Sequence, residues 1–348
     1  MLLVLILGGA LWALGRFLKV PVPALQIMLG LLFLVVLAVQ IGLPPGNPLR
    51  EALGGSAGEW LVLAGLAVLI WAYSVGLKRM RVRVRPENLP PPPSGAFEGA
   101  ELDRYARHIM LREIGGPGQR ALKQARVLVI GAGGLGSPAL LYMAAAGVGT
   151  LGVIDDDVVE GSNLQRQIIH SDKRIGMPKV FSAEAALKAL NPWLVVRPYH
   201  RRLSADIARD LFAEYDLILD GSDNFDTRYL VNQVACELAI PLISGALSQW
   251  EGQISTFDPA HGTPCYRCIF PERPAPHLAP SCAEAGVLGP LPGVIGAMMA
   301  AEAVKEITQA GTGLQGRLLI WDALHTEARV ITVQPRPGCP VCAARKGA

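Results

Sequence analysis

One stretch restricts the fold more than any other. Arg126–Ile130, RVLVI, runs into GAGGLG at Gly131–Gly136 and then into SPALLYMAAAG. A short apolar run, a glycine-rich turn and a helix-forming segment, in that order, make the opening unit of a Rossmann-type sheet. The glycines permit the tight turn and let backbone N–H groups at the helix N-terminus approach a phosphate. A second strand pattern, Thr150–Ile154, ends in Asp155, where an acidic side chain holds ribose hydroxyls. Alternation continues with strands at Val195–Tyr199, Asp216–Leu219 and Pro241–Ser244 and helices near Ser204–Phe212 and Asp226–Leu238. The pattern predicts an α/β, Rossmann-like doubly wound sheet. Alone, the glycine motif fits NAD, FAD, S-adenosylmethionine or ATP, and a dinucleotide oxidoreductase is the plain alternative.

Charged residues shift the balance toward a triphosphate. Asn163-Leu164-Gln165-Arg166-Gln167 follows the second strand, Lys179 sits in GMPKV, and a later strand end reads Asp220-Gly221-Ser222-Asp223-Asn224. With Arg107 on a helical stretch at 101–114, these put cations and a carboxylate on segments that border one nucleotide site. Cations suit a triphosphate, and a carboxylate at a strand C-terminal end suits Mg²⁺. A nicotinamide enzyme has little use for so many phosphate-directed charges. The net charge of +3 gives no general case for nucleic-acid binding.

Two CxxC pairs, Cys265-x-x-Cys268 and Cys339-x-x-Cys342, can present four thiolates to one tetrahedral zinc. Six cysteines in 348 residues do not make a disulfide scaffold. Cys236 lies in an apolar helix pattern and reads as core. Cys282 follows Arg273–Ser281, a stretch with the composition of a mobile crossover loop.

Taken together and in order, GAGGLG, the IDDD stretch, SNLQRQ, GMPKV, DGSDN, the paired CxxC motifs and Cys282-Ala283-Glu284-Ala285-Gly286-Val287 resemble the MoeB/ThiF/HesA family, bacterial relatives of ubiquitin-activating enzymes. The likeness covers roughly residues 98–345, and CAEAGV followed by GPLPGVIG most resembles molybdopterin-synthase adenylyltransferase. The resemblance implies ATP-dependent adenylation of the C-terminal glycine of a ubiquitin-like sulfur-carrier protein. It implies that Asp155 holds ribose, that Gly131, Gly133, Gly134 and Gly136 form the phosphate turn, and that Asn163, Arg166 and Lys179 contact phosphates. Asp223 would bind Mg²⁺, and the four CxxC cysteines a structural Zn²⁺. Arg107 matches an arginine that reaches the triphosphate from a neighbouring protomer, so a homodimer is implied. In the wider family a cysteine at the place of Cys282 can link covalently to the carrier. The thiamine and tRNA-thiolation carriers are alternative substrates. A non-catalytic membrane scaffold is an alternative of another class.

Outside that likeness, the N-terminal part is strongly apolar. Ala24–Leu43 and Trp60–Leu77 read as membrane spans, and Leu2–Leu14 as a third span or an interfacial segment. The basic run Lys78–Arg85 places the residues C-terminal to it on the inner side of the membrane. The expected organisation is a segment of two or three transmembrane helices at 1–77, a basic and proline-rich linker at 78–97, and a catalytic domain at 98–348. The expected location is the inner (cytoplasmic) membrane, with the catalytic domain facing the cytoplasm.

Overall fold

The computed structural model describes residues 2–18, 22–44, 46–56, 58–63, 65, 66, 69, 73, 97–273 and 286–343. The chain divides into two compact units, Met1–Leu89 and Pro90–Ala348.

In the larger unit, five segments form parallel strands, the inner ones covered on both faces, which favours near-continuous apolar runs, and the edge strand only half-buried. They are β1 (Arg126–Ile130), β2 (Thr150–Asp155), β3 (Val195–His200), β4 (Leu217–Asp220) and β5 (Leu242–Leu247). Three antiparallel strands extend the sheet: β6 (Glu251–Phe257), β7 (Arg317–Asp322) and β8 (Glu327–Thr332). The order is β3-β2-β1-β4-β5-β6-β7-β8. The direction of winding reverses between β1 and β4, which leaves a crevice at their C-terminal ends, where open α/β sheets bind ligands.

Separate apolar cores lie on the two faces. One gathers Val127, Val129, Leu140, Met143, Leu151 and Ile295. The other gathers Leu128, Ile130, Phe212, Ile218, Val231 and Tyr266. Alternate β1 residues thus serve opposite faces, as the two-residue strand period requires. Helix Pro290–Thr308 backs the glycine turn closely. A Cβ on Gly296 would stand 2.4 Å from the Leu135 carbonyl oxygen.

The smaller unit corrects the membrane expectation. Among the described residues no helix is long and apolar enough to cross a membrane. Helix Leu2–Phe17 has 16 residues, whereas about 20 are needed to span. Helix Val22–Gly42 is tied by its last turns into a polar cluster. There the buried Gln40 amide donates to the Arg50 carbonyl at 3.1 Å, and its oxygen accepts from Arg50 Nε at 3.2 Å. Arg50 also donates to the Leu43 carbonyl, and Trp60 Nε1 to that of Gly54. Val4, Val36 and Trp60 form a small core. Part of Trp60–Leu77, all of Lys78–Arg85 and nearly all of the linker lie outside the described residues. Among the described residues, the inner-membrane location therefore has no spanning helix to rest on.

Candidate nucleotide site and cysteine centre

The glycine turn is shaped by close backbone approaches. Gly131 has φ +90° and donates its N–H to the Ile154 carbonyl at 2.9 Å. A Cβ at Gly136 would fall 1.9 Å from the Gly131 carbonyl oxygen, so no side chain fits without moving the turn. A Cβ at Gly134 would meet Pro292 at 3.0 Å, whereas Gly133 has more room. Gly136→Ala is expected to displace the turn at a cost of about 1–3 kcal/mol of overpacking. We expect it to weaken ATP binding by about tenfold or more in calorimetry; unchanged affinity would show that the turn does not hold phosphate.

Asp155, at the end of β2, closes on this turn. Its carboxylate accepts N–H bonds from Ala132 and Asp157, each at 2.8 Å. Burial raises the Asp155 carboxyl above the ordinary aspartate range, opposed by Lys179 and those two N–H groups. Lys179 is itself buried at the first turn of helix Lys179–Leu190, with Nζ 2.7 Å from Asp157. Asn163 accepts from Arg166 at 3.1 Å and holds that guanidinium in place.

Arg166 and Gly134 line a cleft of about 1240 Å³ together with Asp223, which is exposed beyond the end of β4. Phe270, Trp250, Leu324 and His325 also line the cleft. Sequence reasoning missed the network beneath it. Asp220 is buried and accepts from Ser222 Oγ at 2.6 Å and Ser244 Oγ at 3.0 Å. Arg228 lies 3.7 Å from Asp220 and donates to Ser244 Oγ and to the Ser222 carbonyl. This anchored arginine fixes the loop that presents Asp223. Its position in Asp223-Asn224-x-x-x-Arg228, one turn into a helix capped by Asn224, is the signal that was available.

The four cysteines converge as the spacing predicts. Their Sγ atoms all lie within 4.8 Å of one another. Three separations are 3.4 Å (Cys268–Cys342), 3.7 Å (Cys265–Cys339) and 3.9 Å (Cys265–Cys268). A tetrahedron with Zn–S bonds of about 2.3 Å has edges of about 3.8 Å, so the donor set fits zinc. Burial pushes the Cys265 and Cys342 thiols up. Burial also acts upward on Cys339, but hydrogen bonds from the Cys342 and Val341 amides and from neighbouring thiols bring it down to about 7. Such N–H donors favour a thiolate. The centre also builds the cleft wall. Tyr266 follows Cys265, donates its N–H to Asn232 at 2.8 Å and, with Ile269 and Phe270, lines the cleft. Cys236 packs against the cluster, with its thiol 3.7 Å from the Val341 carbonyl.

Of the expected nucleotide-site residues that are described, Gly134, Arg166 and Asp223 line the cleft, and Gly131, Gly133, Gly136, Asp155, Asn163, Lys179 and Arg107 do not. Arg107 is exposed on helix Gly99–Ile109, whose buried Tyr105 packs against Gly147 at the opposite end of the sheet. Cys282 lies outside the described residues.

The ThiF family matches residues 105–341. The chain belongs to the ThiF family. It is 50% identical over 246 residues to a sulfur carrier protein adenylyltransferase of Thermus thermophilus, covering 70% of this chain and 91% of that protein. It is 48% identical over 247 residues to a SAMP-activating enzyme E1 of Haloferax volcanii, covering 71% and 91%. The solved structure of E. coli MccB with MccA-N7isoASN shares the fold at TM-score 0.60 and 20% identity, over 73% of this chain and 77% of that one.

Proposed function

We propose that this ThiF-family chain uses ATP to adenylate the C-terminal glycine carboxylate of a ubiquitin-like sulfur-carrier protein, releasing pyrophosphate. The observation that carries the proposal is the cleft itself. Gly134 of the phosphate turn, Arg166 and Asp223 line it together with Trp250 and His325, and its volume of about 1240 Å³ leaves room for an extended chain terminus. Relatives named as adenylyltransferases of sulfur carriers support the same activity.

The chemistry asks for little beyond placement. The incoming carboxylate is already ionised, so no general base is required. It attacks the α-phosphorus, and the bond to the β-phosphate oxygen breaks. The chain's residues orient the two reactants and hold developing charge. Asp155 binds ribose, the turn N–H groups face phosphate, and Arg166 and Lys179 neutralise the triphosphate. Arg228 keeps the Asp223 loop rigid. Asp223 is the carboxylate that would hold Mg²⁺, which when bound offsets charge on the departing pyrophosphate. Cys265, Cys268, Cys339 and Cys342 would hold a structural zinc. Arg107 acts on the site of a partner protomer. The carrier is the small subunit of molybdopterin synthase, on the strength of CAEAGV and GPLPGVIG. Cys282 has no task in adenylation itself.

Exchange of labelled pyrophosphate into ATP, dependent on a purified carrier, tests this. Asp223→Ala is expected to lower exchange by roughly 10²–10³-fold, the factor associated with losing one preorganised charge contact. Exchange at the wild-type rate in that variant would remove Asp223 from the metal site.

A further inference from the structure

Ala132 lies between Gly131 and Gly133 in the phosphate turn, and its peptide groups are clasped from two sides. Its N–H goes to the Asp155 carboxylate at 2.8 Å. Its carbonyl meets Nε2 of His170 at 2.9 Å, with Ser137 Oγ more distant at 3.5 Å. The other imidazole nitrogen, Nδ1, is 2.9 Å from Ser182 Oγ. Ser182 is on helix Lys179–Leu190, three residues beyond Lys179 and so on the same side of that helix. His170 and Ser182 are both buried.

We propose that His170 is a positioning residue for nucleotide binding: its imidazole rivets the glycine turn to the helix that carries Lys179. A carbonyl only accepts, so Nε2 must carry the proton. In the neutral ring Nδ1 is then an acceptor, and Ser182 Oγ–H donates to it. The chain Ser182–His170–Ala132 therefore has one direction and one tautomer. Burial first, and then the nearby Lys179 and Arg174 charges, hold the imidazole below the ordinary histidine range, so the ring is neutral at physiological pH. With both sides of Ala132 taken, the turn cannot rotate its peptide planes. Its later N–H groups stay aimed at the crevice, at a fixed offset from Lys179. Arg174 braces the same helix by donating to the Ser182 carbonyl at 2.9 Å. The role rests on the adenylation proposal only for the identity of the phosphate ligand.

The test uses the full chain and ATP alone, so its outcome is independent of whether adenylation follows. His170→Asn can reach Ser182 but not Ala132; His170→Gln places an amide nitrogen where Nε2 stands. Loss of one buried hydrogen bond is commonly worth about 1 kcal/mol, so His170→Asn is expected to weaken ATP binding by about five- to tenfold. His170→Gln is expected to recover to within about threefold, and Ser182→Ala to lose about two- to threefold. ¹⁵N spectra of the wild-type imidazole should show the Nε2–H tautomer. Equal weakening in the Asn and Gln variants, wild-type affinity in both, or an Nδ1–H tautomer would overturn the proposal. Unchanged affinity in Ser182→Ala would overturn the coupling to the Lys179 helix.

Discussion

Cys268→Ala is expected to leave the chain without zinc and to loosen the wall of the nucleotide cleft. The four thiols already stand at tetrahedral spacing, with Cys268 and Cys342 3.4 Å apart. Structural zinc in finger peptides contributes about 10–16 kcal/mol of apparent binding free energy. That is comparable to the whole stability of an ordinary domain, about 5–15 kcal/mol. The metal would join two segments far apart in sequence, Cys265–Cys268 and Cys339–Cys342. Without it, the three remaining buried thiols lose their common partner, and Tyr266, Ile269 and Phe270 lose the support that sets them against the cleft. The apolar cores on the sheet faces remain, so the variant should keep much of its secondary structure while its Tm falls by many degrees. Elemental analysis and a melting curve report both effects. A variant with one zinc per chain and a wild-type Tm would refute the assignment.

Arg107→Ala is expected to be nearly inactive alone and to recover when mixed with Asp223→Ala. Arg107 is exposed on a helix at the far end of its own sheet, away from the cleft that holds Arg166 and Asp223. In the proposed function a second copy of the chain brings it to the triphosphate. In other phosphoryl-transfer systems an arginine supplied in trans is worth about 10³–10⁵ in rate. A heterodimer of the two variants has one site with Arg107 and Asp223 both intact and one site with neither. Mixing is therefore expected to restore a large fraction of one site's activity. With subunit exchange shown by mass spectrometry, no recovery in the mixture would exclude a role in trans.

Much of the parallel half of the sheet was legible because buried parallel strands are unbroken apolar runs. RVLVI became β1, and Asp155 ended β2 next to the turn, as its spacing requires. The cysteine centre was legible for a similar reason, since CxxC is a local geometry. What escaped was long-range. Strand β8, EARVIT, is exposed along its whole length, so burial imposed no pattern on it. The Asp220–Arg228–Ser244 network joins side chains from β4, a helix and β5, and no single segment announces it. Nothing in the sequence around His170 marks its role, because its partners, Ala132 and Ser182, are set by the fold. The N-terminal error has a different origin. Hydropathy registers composition, while the length of helix Leu2–Phe17 and the contacts of Gln40, Arg50 and Trp60 are tertiary facts.

The most direct test of adenylation is the intact mass of the carrier protein. Purified small subunit of molybdopterin synthase, with the thiamine and tRNA-thiolation carriers alongside, is incubated with this chain, ATP and Mg²⁺, with pyrophosphatase present to prevent reversal. The proposal predicts that one carrier gains a single AMP, mapped by fragmentation to its C-terminal glycine, and that the gain is lost with Asp223→Ala. Carriers that all remain unmodified while the chain binds ATP would contradict it.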